Sequence, residues 1–309
     1  VSDLYRGMVD FVLVLVAPGQ GAQTPGFLTP WLELPGLAER LGSWSEVVGL
    51  DLIAYGTTAG ADEIRDTAVA QPLLVAAALA SAEALGAAPD VVAGHSVGEF
   101  AAAALAGVLT PEQALTLVRE RAQAMAKAAA VTETGMTAVL GGDEAEVLAA
   151  IDRHGLTPAN INGAGQIVAG GTLEQLAAFK DDAPARARLI PLSVAGAFHT
   201  RHMAPAVEAL REAAASVTPA DPRVTLLSNS DGQAVAGGAE FVDRLVRQVS
   251  SPVRWHSCME TMAGLGVTGM IELLPGGTLT GLARRGMRGV QTVALKTPDD
   301  LDAARELIK

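Results

Sequence analysis

An α/β fold, with a parallel main sheet and a smaller β-α-β-β-α-β unit set into it, is what the sequence predicts, and three observations carry the prediction. Residues 11–16 (Phe-Val-Leu-Val-Leu-Val) form an unalternated, β-branched apolar run, the pattern of a strand covered on both faces. Residues 91–100 read as a second buried strand, a sharp turn and the start of a helix, so strand and helix alternate as a parallel sheet requires. From about Gly135 to Val194 the rhythm changes to strand 136–140, helix 143–153, strands 158–162 and 166–170, helix 173–179 and strand 187–194.

Taken in order, the first ten residues carry no secretory pattern and read as a leader or extension outside the core. The strand over 11–16 runs into Pro18-Gly19-Gln20-Gly21-Ala22-Gln23, a loop at the carboxyl end of a central strand, where open α/β sheets place ligands. It lacks the Lys-Ser/Thr of a P-loop and the glycine spacing of a dinucleotide fingerprint, which disfavours a nucleotide. An Ala/Leu-rich helix over 71–85 leads to the strand before Ser96, and Thr110-Pro111-Glu112 starts a long helix that carries Arg119 and Arg121. The middle unit, turning at Asn162-Gly163-Ala164-Gly165, has the order of a ferredoxin-like subdomain. Beyond it come a helix after His202, a strand over 224–227, helices around 241–248 and 255–265, a strand over 270–273, and a Pro275-Gly276-Gly277 turn into a final helix. No long linker interrupts the chain. Residues 133–195 therefore read as an insertion in a large domain made of 11–132 and 196–309.

Composition narrows the function. The 309 residues are half hydrophobic, enough for a large core, and 22 Lys+Arg against 34 Asp+Glu leave a net charge of −12. An acidic chain is a poor general partner for nucleic acid. The single cysteine, Cys258, can form no disulfide within the chain and no cysteine metal cluster, which fits a reducing cytoplasm. Apolar runs such as 11–17 and 73–80 fall short of the roughly 20 residues that cross a bilayer, so no membrane is expected as a partner.

Chemistry concentrates at Gly94-His95-Ser96-Val97-Gly98. A strand that turns this tightly into a helix needs positions without a Cβ, and the serine between them is lifted clear of the sheet. The free N–H groups at the start of the helix, Val97 among them, face any oxygen beside the hydroxyl, in outline an acyl-transfer site. A serine also needs a base, and there are five histidines. His95 adjoins the serine, where consecutive side chains diverge, and reads as a packing or orienting residue. His154 sits at a helix end among charged neighbours, and His256 follows Trp255 on an amphipathic helix. His199 remains, placed where the small unit rejoins the large one and a side chain can reach a cleft between them. His199 and His202 resemble a metal pair, but no third ligand is evident and Arg201 stands between them.

Five ordered blocks, Pro18 to Gln23, Gly94 to Glu99, Arg121-Ala122-Gln123-Ala124-Met125, Ala197-Phe198-His199, and Gln248 ahead of Pro252-Val253-Arg254-Trp255, resemble the motifs of malonyl-CoA:acyl-carrier-protein transacylases. The resemblance runs from about Val12 to the last helix, with local departures at Ala22 and Phe100. It implies a hydrolase-like α/β domain with an inserted ferredoxin-like subdomain. By the same resemblance Ser96 is the nucleophile and His199 the base, held by the backbone carbonyl of Gln248 in place of an Asp. Backbone N–H groups of Gln20 and Val97 form the oxyanion hole, and Arg121 grips the malonyl carboxylate. Phe198, a bulky residue before the base, goes with malonyl over methylmalonyl. Malonyl-CoA is the donor substrate, no cofactor or metal is bound, and the partner is holo acyl carrier protein. Because carrier proteins of this type are acidic, like this chain, docking needs a local basic patch, and Arg284 and Arg285 with Arg288 are the densest candidates. Two rivals share parts of this pattern. A serine hydrolase would release free acid but has no use for Arg121, and a non-catalytic carrier-binding module would not need Ser96 and His199.

Overall fold

The computed structural model describes residues 11–163 and 165–309; the leader assigned to residues 1–10 and Ala164 of the central turn lie outside the described residues. Among the described residues nine strands form two sheets. The main sheet contains β1 (Leu13–Ala17), β2 (Val91–Gly94), β7 (Thr225–Leu226), β8 (Gly269–Glu272) and β9 (Gln291–Ala294), all parallel in the order β7-β2-β1-β8-β9. Every residue of β1, β2 and β8 is buried, as the unalternated apolar runs require of central strands in a parallel sheet. The second sheet contains β3 (Thr134–Gly141), β4 (Thr157–Gly163), β5 (Gln166–Thr172) and β6 (Ala187–Pro191), antiparallel in the order β4-β5-β3-β6. With its helices Glu144–Arg153 and Leu173–Asp181 this is the ferredoxin-like arrangement, and it carries a separate apolar cluster around Val139, Ile151 and Phe179.

Main chain ties the antiparallel sheet to the segment around Val253, which lies outside both sheets. Asn160 of β4 bridges in parallel to Val253, with Ile161 N–H donating to Val253 O at 2.9 Å and Val253 N–H to Ala159 O at 2.8 Å. These bonds fix β4 against the segment that precedes the helix Trp255–Gly264.

Several elements differ from the sequence expectation. The helix Thr278–Gly286 is not the last: β9 and the helix Asp300–Leu307 follow it. β9 is a short edge strand with one exposed and three half-buried residues, so it lacks the apolar run that marks the central strands. β6 ends at Pro191, short of the expected Val194, although Leu192 N–H still donates to Met136 O of β3 at 2.9 Å. The helix begun at 71 extends over Thr67–Leu85, started by Asp66, whose carboxylate accepts from Ala68 N–H at 2.8 Å. At 19 residues it is long and apolar enough to cross a membrane, unlike the 73–80 run alone, yet it is almost wholly buried as the central helix of the main core.

Candidate active site

The loop after β2 makes the turn that Gly94 and Gly98 predict. A Cβ on Gly94 would lie 2.0 Å from the Gly98 carbonyl carbon, and one on Gly98 would lie 2.2 Å from Ala17 O, so neither position admits a side chain. Between them Ser96 has φ 54°, a left-handed conformation that costs a non-glycine residue on the order of 1–3 kcal/mol. Asn229, just beyond β7, holds it there. Its Oδ1 accepts from Ser96 N–H at 2.8 Å and its Nδ2 donates to Gly94 O at 2.7 Å.

His199 also adopts a left-handed conformation, φ 60°, which turns its ring back toward the loop. Ser96 Oγ lies 2.6 Å from His199 Nε2, and His199 Nδ1 lies 2.8 Å from Gln248 O. A carbonyl only accepts, so the proton sits on Nδ1, and Nε2 presents a lone pair to the serine hydroxyl. Burial, reinforced by the nearby Arg121 charge, lowers the His199 pKa to about 3, so the ring is neutral near pH 7.

Arg121 reaches the same point from the helix Pro111–Ala129, whose start is closed by reciprocal bonds between Thr110 and Gln113. It falls on the buried face with Leu117, Val118 and Met125, where a charge is expensive. Its Nη1 donates to Gln71 Oε1 at 2.6 Å and its Nη2 to Gln248 Oε1 at 2.8 Å, with Ser96 Oγ 3.4 Å from Nη2. All three partners are neutral, and its Nε finds no acceptor among the described residues. Desolvation lowers its pKa only to about 10, so it stays a cation. A buried guanidinium beside the serine hydroxyl, bonded to neutral groups alone, suits a ligand carboxylate.

Gln20 lies in the glycine loop after β1 and Val97 directly follows the serine, and their backbone N–H groups have no partner among the described residues in the loop and turn hydrogen bonds. The Gln20 side chain leans away, toward Arg65 O at 3.4 Å. A cleft of about 450 Å³ opens beside Gln20, between the glycine loop, Arg65 and the connecting segment 192–194. Phe198 is buried in the main core, next in the chain to His199. His95 turns from the hydroxyl to bond Asn162 Oδ1 through Nε2 at 2.9 Å and meets the Trp255 ring edge-on. Arg284 and Arg285 are exposed in the last turn of the helix Thr278–Gly286, and Arg284 bonds Thr292 Oγ1 at 3.0 Å.

Sequence reasoning missed Gln71, Glu99, Asn162 and Asn229. Two carried a signal: Gln71 is an amide directly ahead of the apolar run 72–80, and Glu99 a lone charge before an alanine run. Both are nearly inaccessible to solvent. Asn229 lies 133 residues from Ser96, so only the fold joins them.

The family described as the acyl transferase domain matches residues 14–298. The chain belongs to the acyl transferase family, whose chemistry a neutral histidine on a serine hydroxyl at such a turn is able to perform. It is 51% identical over 302 residues to the malonyl CoA-acyl carrier protein transacylase of Mycobacterium tuberculosis, covering 96% of this chain and all of that one. The Escherichia coli K12 protein of the same name is 34% identical over 311 residues, 97% of this chain and all of its own. A crystal structure of MCAT from Mycobacterium tuberculosis superposes with a TM-score of 0.93 at 51% identity, over 96% of this chain and all of that one. A type II PKS acyl-carrier protein in complex with its malonyl-transacylase matches at TM-score 0.89 and 30% identity, over 96% and 99% of the two chains. Within the acyl transferases, this chain is a member of the malonyl CoA-acyl carrier protein transacylases.

Proposed function

We propose that this protein transfers the malonyl group from malonyl-CoA to the phosphopantetheine thiol of acyl carrier protein through a malonyl ester on Ser96. The observation that carries the reading is the pairing, at one hydroxyl, of a neutral histidine at 2.6 Å with a buried arginine whose hydrogen-bond partners are neutral. In this mechanism Ser96 Oγ gives its proton to His199 Nε2 and attacks the thioester carbonyl. The oxyanion faces the N–H groups of Gln20 and Val97, and each such donor is worth about 3–4 kcal/mol in serine enzymes. The C–S bond breaks, and the imidazolium returns the proton to the departing CoA thiolate. The carrier-protein thiol then repeats these steps in reverse on the malonyl ester. No bound cofactor takes part, and malonyl-CoA itself is the donor.

The Gln248 carbonyl does the work an Asp does elsewhere: it holds the Nδ1 proton and so fixes the tautomer. We assign residues 133–195 to the inserted subdomain and 11–132 with 196–309 to the large domain, a division that leaves His199 just past the return crossing. The cytoplasm is the proposed setting, supported by the single buried thiol. The test is intact mass after malonyl-CoA and again after holo carrier protein: a malonyl adduct should form and then be removed. An adduct discharged to water, with no malonyl on the carrier protein, would favour the hydrolase instead.

Phe198 supplies a specificity prediction. A rigid ring leaves little room for a branch at the acyl α-carbon, and one methyl group is worth roughly 1–3 kcal/mol in a pocket. Malonyl-CoA should be preferred to methylmalonyl-CoA by about tenfold or more, and Phe198→Ser should narrow the gap. Equal kcat/KM for the two substrates in the unmodified protein would remove Phe198 from the acyl pocket.

Docking supplies another. With a net charge of −12, the approach of an acidic carrier protein is repelled unless a basic patch guides it. Arg284→Glu with Arg285→Glu should raise KM for carrier protein several-fold at low salt, through the association rate, while acylation by malonyl-CoA is unaffected. An unchanged KM would exclude these two arginines as the docking patch.

A further inference from the structure

We propose that Glu99 is a titratable partner of Arg121 and that, acting through the Gln248 side chain, it sets how strongly the site selects an acyl group that bears a carboxylate. The proposal rests on the malonyl-transfer reading and adds to it a positioning and specificity-determining residue.

Glu99 is buried in the first turn of the helix Gly98–Leu105, three positions past Ser96. Its Oε1 accepts from Asn229 N–H at 2.6 Å, and its Oε2 accepts from Gln248 Nε2. The same Gln248 amide presents Oε1 to Arg121 Nη2 at 2.8 Å, while its Nε2 also donates to Ser96 O at 2.9 Å. One planar amide thus has the carboxyl group at one end and the guanidinium at the other. Reversing it would set an NH₂ group against Arg121, which has only donors, and an oxygen against Glu99 and the Ser96 carbonyl. The contacts at its two ends hold Gln248 in a single orientation. Gln248 also holds His199 through its main chain, so nucleophile, base and arginine meet at one residue.

The charges around Glu99 are few. Arg121 has only neutral hydrogen-bond partners. Arg244, the other cation that acts on Glu99, is engaged by Asp231 at 2.9 Å and Glu240 at 2.7 Å. The Cys258 thiol is pushed up by burial and stays neutral, and burial lowers both His95 and His199, which are neutral as well. Glu99 is therefore the group whose charge can vary against Arg121. Burial raises it to about 8, against the pull of the Asn229 N–H, the Gln248 amide and Arg121. Below that pH it is neutral, and the Arg121 charge is free to draw a ligand carboxylate. Above it, the Glu99 anion offsets Arg121 through the amide and opposes a second carboxylate. A neutral acyl group feels neither effect.

The experiment measures kcat/KM for malonyl-CoA and for acetyl-CoA acylation of the full chain from about pH 6 to about pH 9.5, spanning the ordinary range of a raised carboxyl, in the unmodified protein and in Glu99→Gln. Their ratio cancels the titration of His199 and of the thioester chemistry, which both substrates share. In the unmodified protein the malonyl-to-acetyl ratio should fall roughly tenfold as pH rises through the titration, the size of a one-unit interaction between neighbouring charges. In Glu99→Gln it should be flat. A flat ratio in the unmodified protein overturns the proposal without need of any variant, and so does a parallel fall in Glu99→Gln. If malonyl-CoA acylates no better than acetyl-CoA even at the acid end, the malonyl reading falls and this proposal with it; a strong but pH-independent malonyl preference overturns the proposal alone.

Discussion

The Ser96→Ala protein should gain no mass on exposure to malonyl-CoA, whereas the unmodified protein gains one malonyl group that holo carrier protein removes. The expectation follows from the isolation of the hydroxyl. Ser96 is lifted out of the sheet by a left-handed turn, with Asn229 bonded to its main chain and a neutral imidazole 2.6 Å from its oxygen. The one cysteine is fully buried, and its pKa is raised by burial, so it offers no competing thiolate. His199→Ala should slow acylation by about 10²–10⁴-fold, the usual worth of a positioned base, with residual rate from the oxyanion hole. Because burial and Arg121 hold His199 neutral down to a pKa of about 3, acylation should show no histidine titration near pH 6.5. A malonyl adduct that forms equally well on Ser96→Ala would end the assignment of the nucleophile.

Arg121→Ala should lower kcat/KM for malonyl-CoA by at least about tenfold, since a hydrogen bond to a charged group contributes about 1.5–3 kcal/mol and a buried carboxylate without a partner costs more. Acetyl-CoA transfer should not fall in step. In the unmodified protein burial depresses the basicity of His199 and the unpaired Arg121 charge depresses it further. A malonyl carboxylate on the guanidinium offsets that charge and makes His199 a better base, which acetyl cannot do. The discrimination should therefore appear in kcat as well as in KM, and Arg121→Ala should leave acetyl transfer equal or faster. Lysine should substitute poorly, because a point charge cannot contact Gln71, Gln248 and a ligand carboxylate together as the planar fork does. The measurement is kcat/KM for both thioesters with Arg, Lys and Ala at position 121, with transfer and hydrolysis scored separately. A malonyl preference that survives in the Ala variant would make Arg121 structural and strengthen the hydrolase alternative.

Much of this molecule is local in origin and so was legible in the chain. β1 and β2 announce themselves because a strand buried on both faces must be apolar throughout. The turn at Ser96 does so because Gly94 and Gly98 sit where a Cβ would strike backbone at 2.0 Å and 2.2 Å. The inserted unit is legible in the order of its strands and helices. β9 and the helix Asp300–Leu307 were not, since a half-exposed edge strand has neither an apolar run nor clean alternation.

The sequence by itself determined the parallel core, the glycine turn that lifts Ser96, and the ordered motifs among which His199, Arg121 and Gln248 fall, because backbone sterics and the periodicity of burial act between near neighbours. Only the tertiary structure decided what those residues touch. Asn229 pins a loop 133 positions away, and Gln71 and Gln248 meet Arg121 across 50 and 127 positions. Glu99 shares the Gln248 amide with Arg121 from a different helix. Local composition marks a buried polar residue such as Gln71 or Glu99 but not its partner, since nothing in its own neighbourhood says which distant element will supply one.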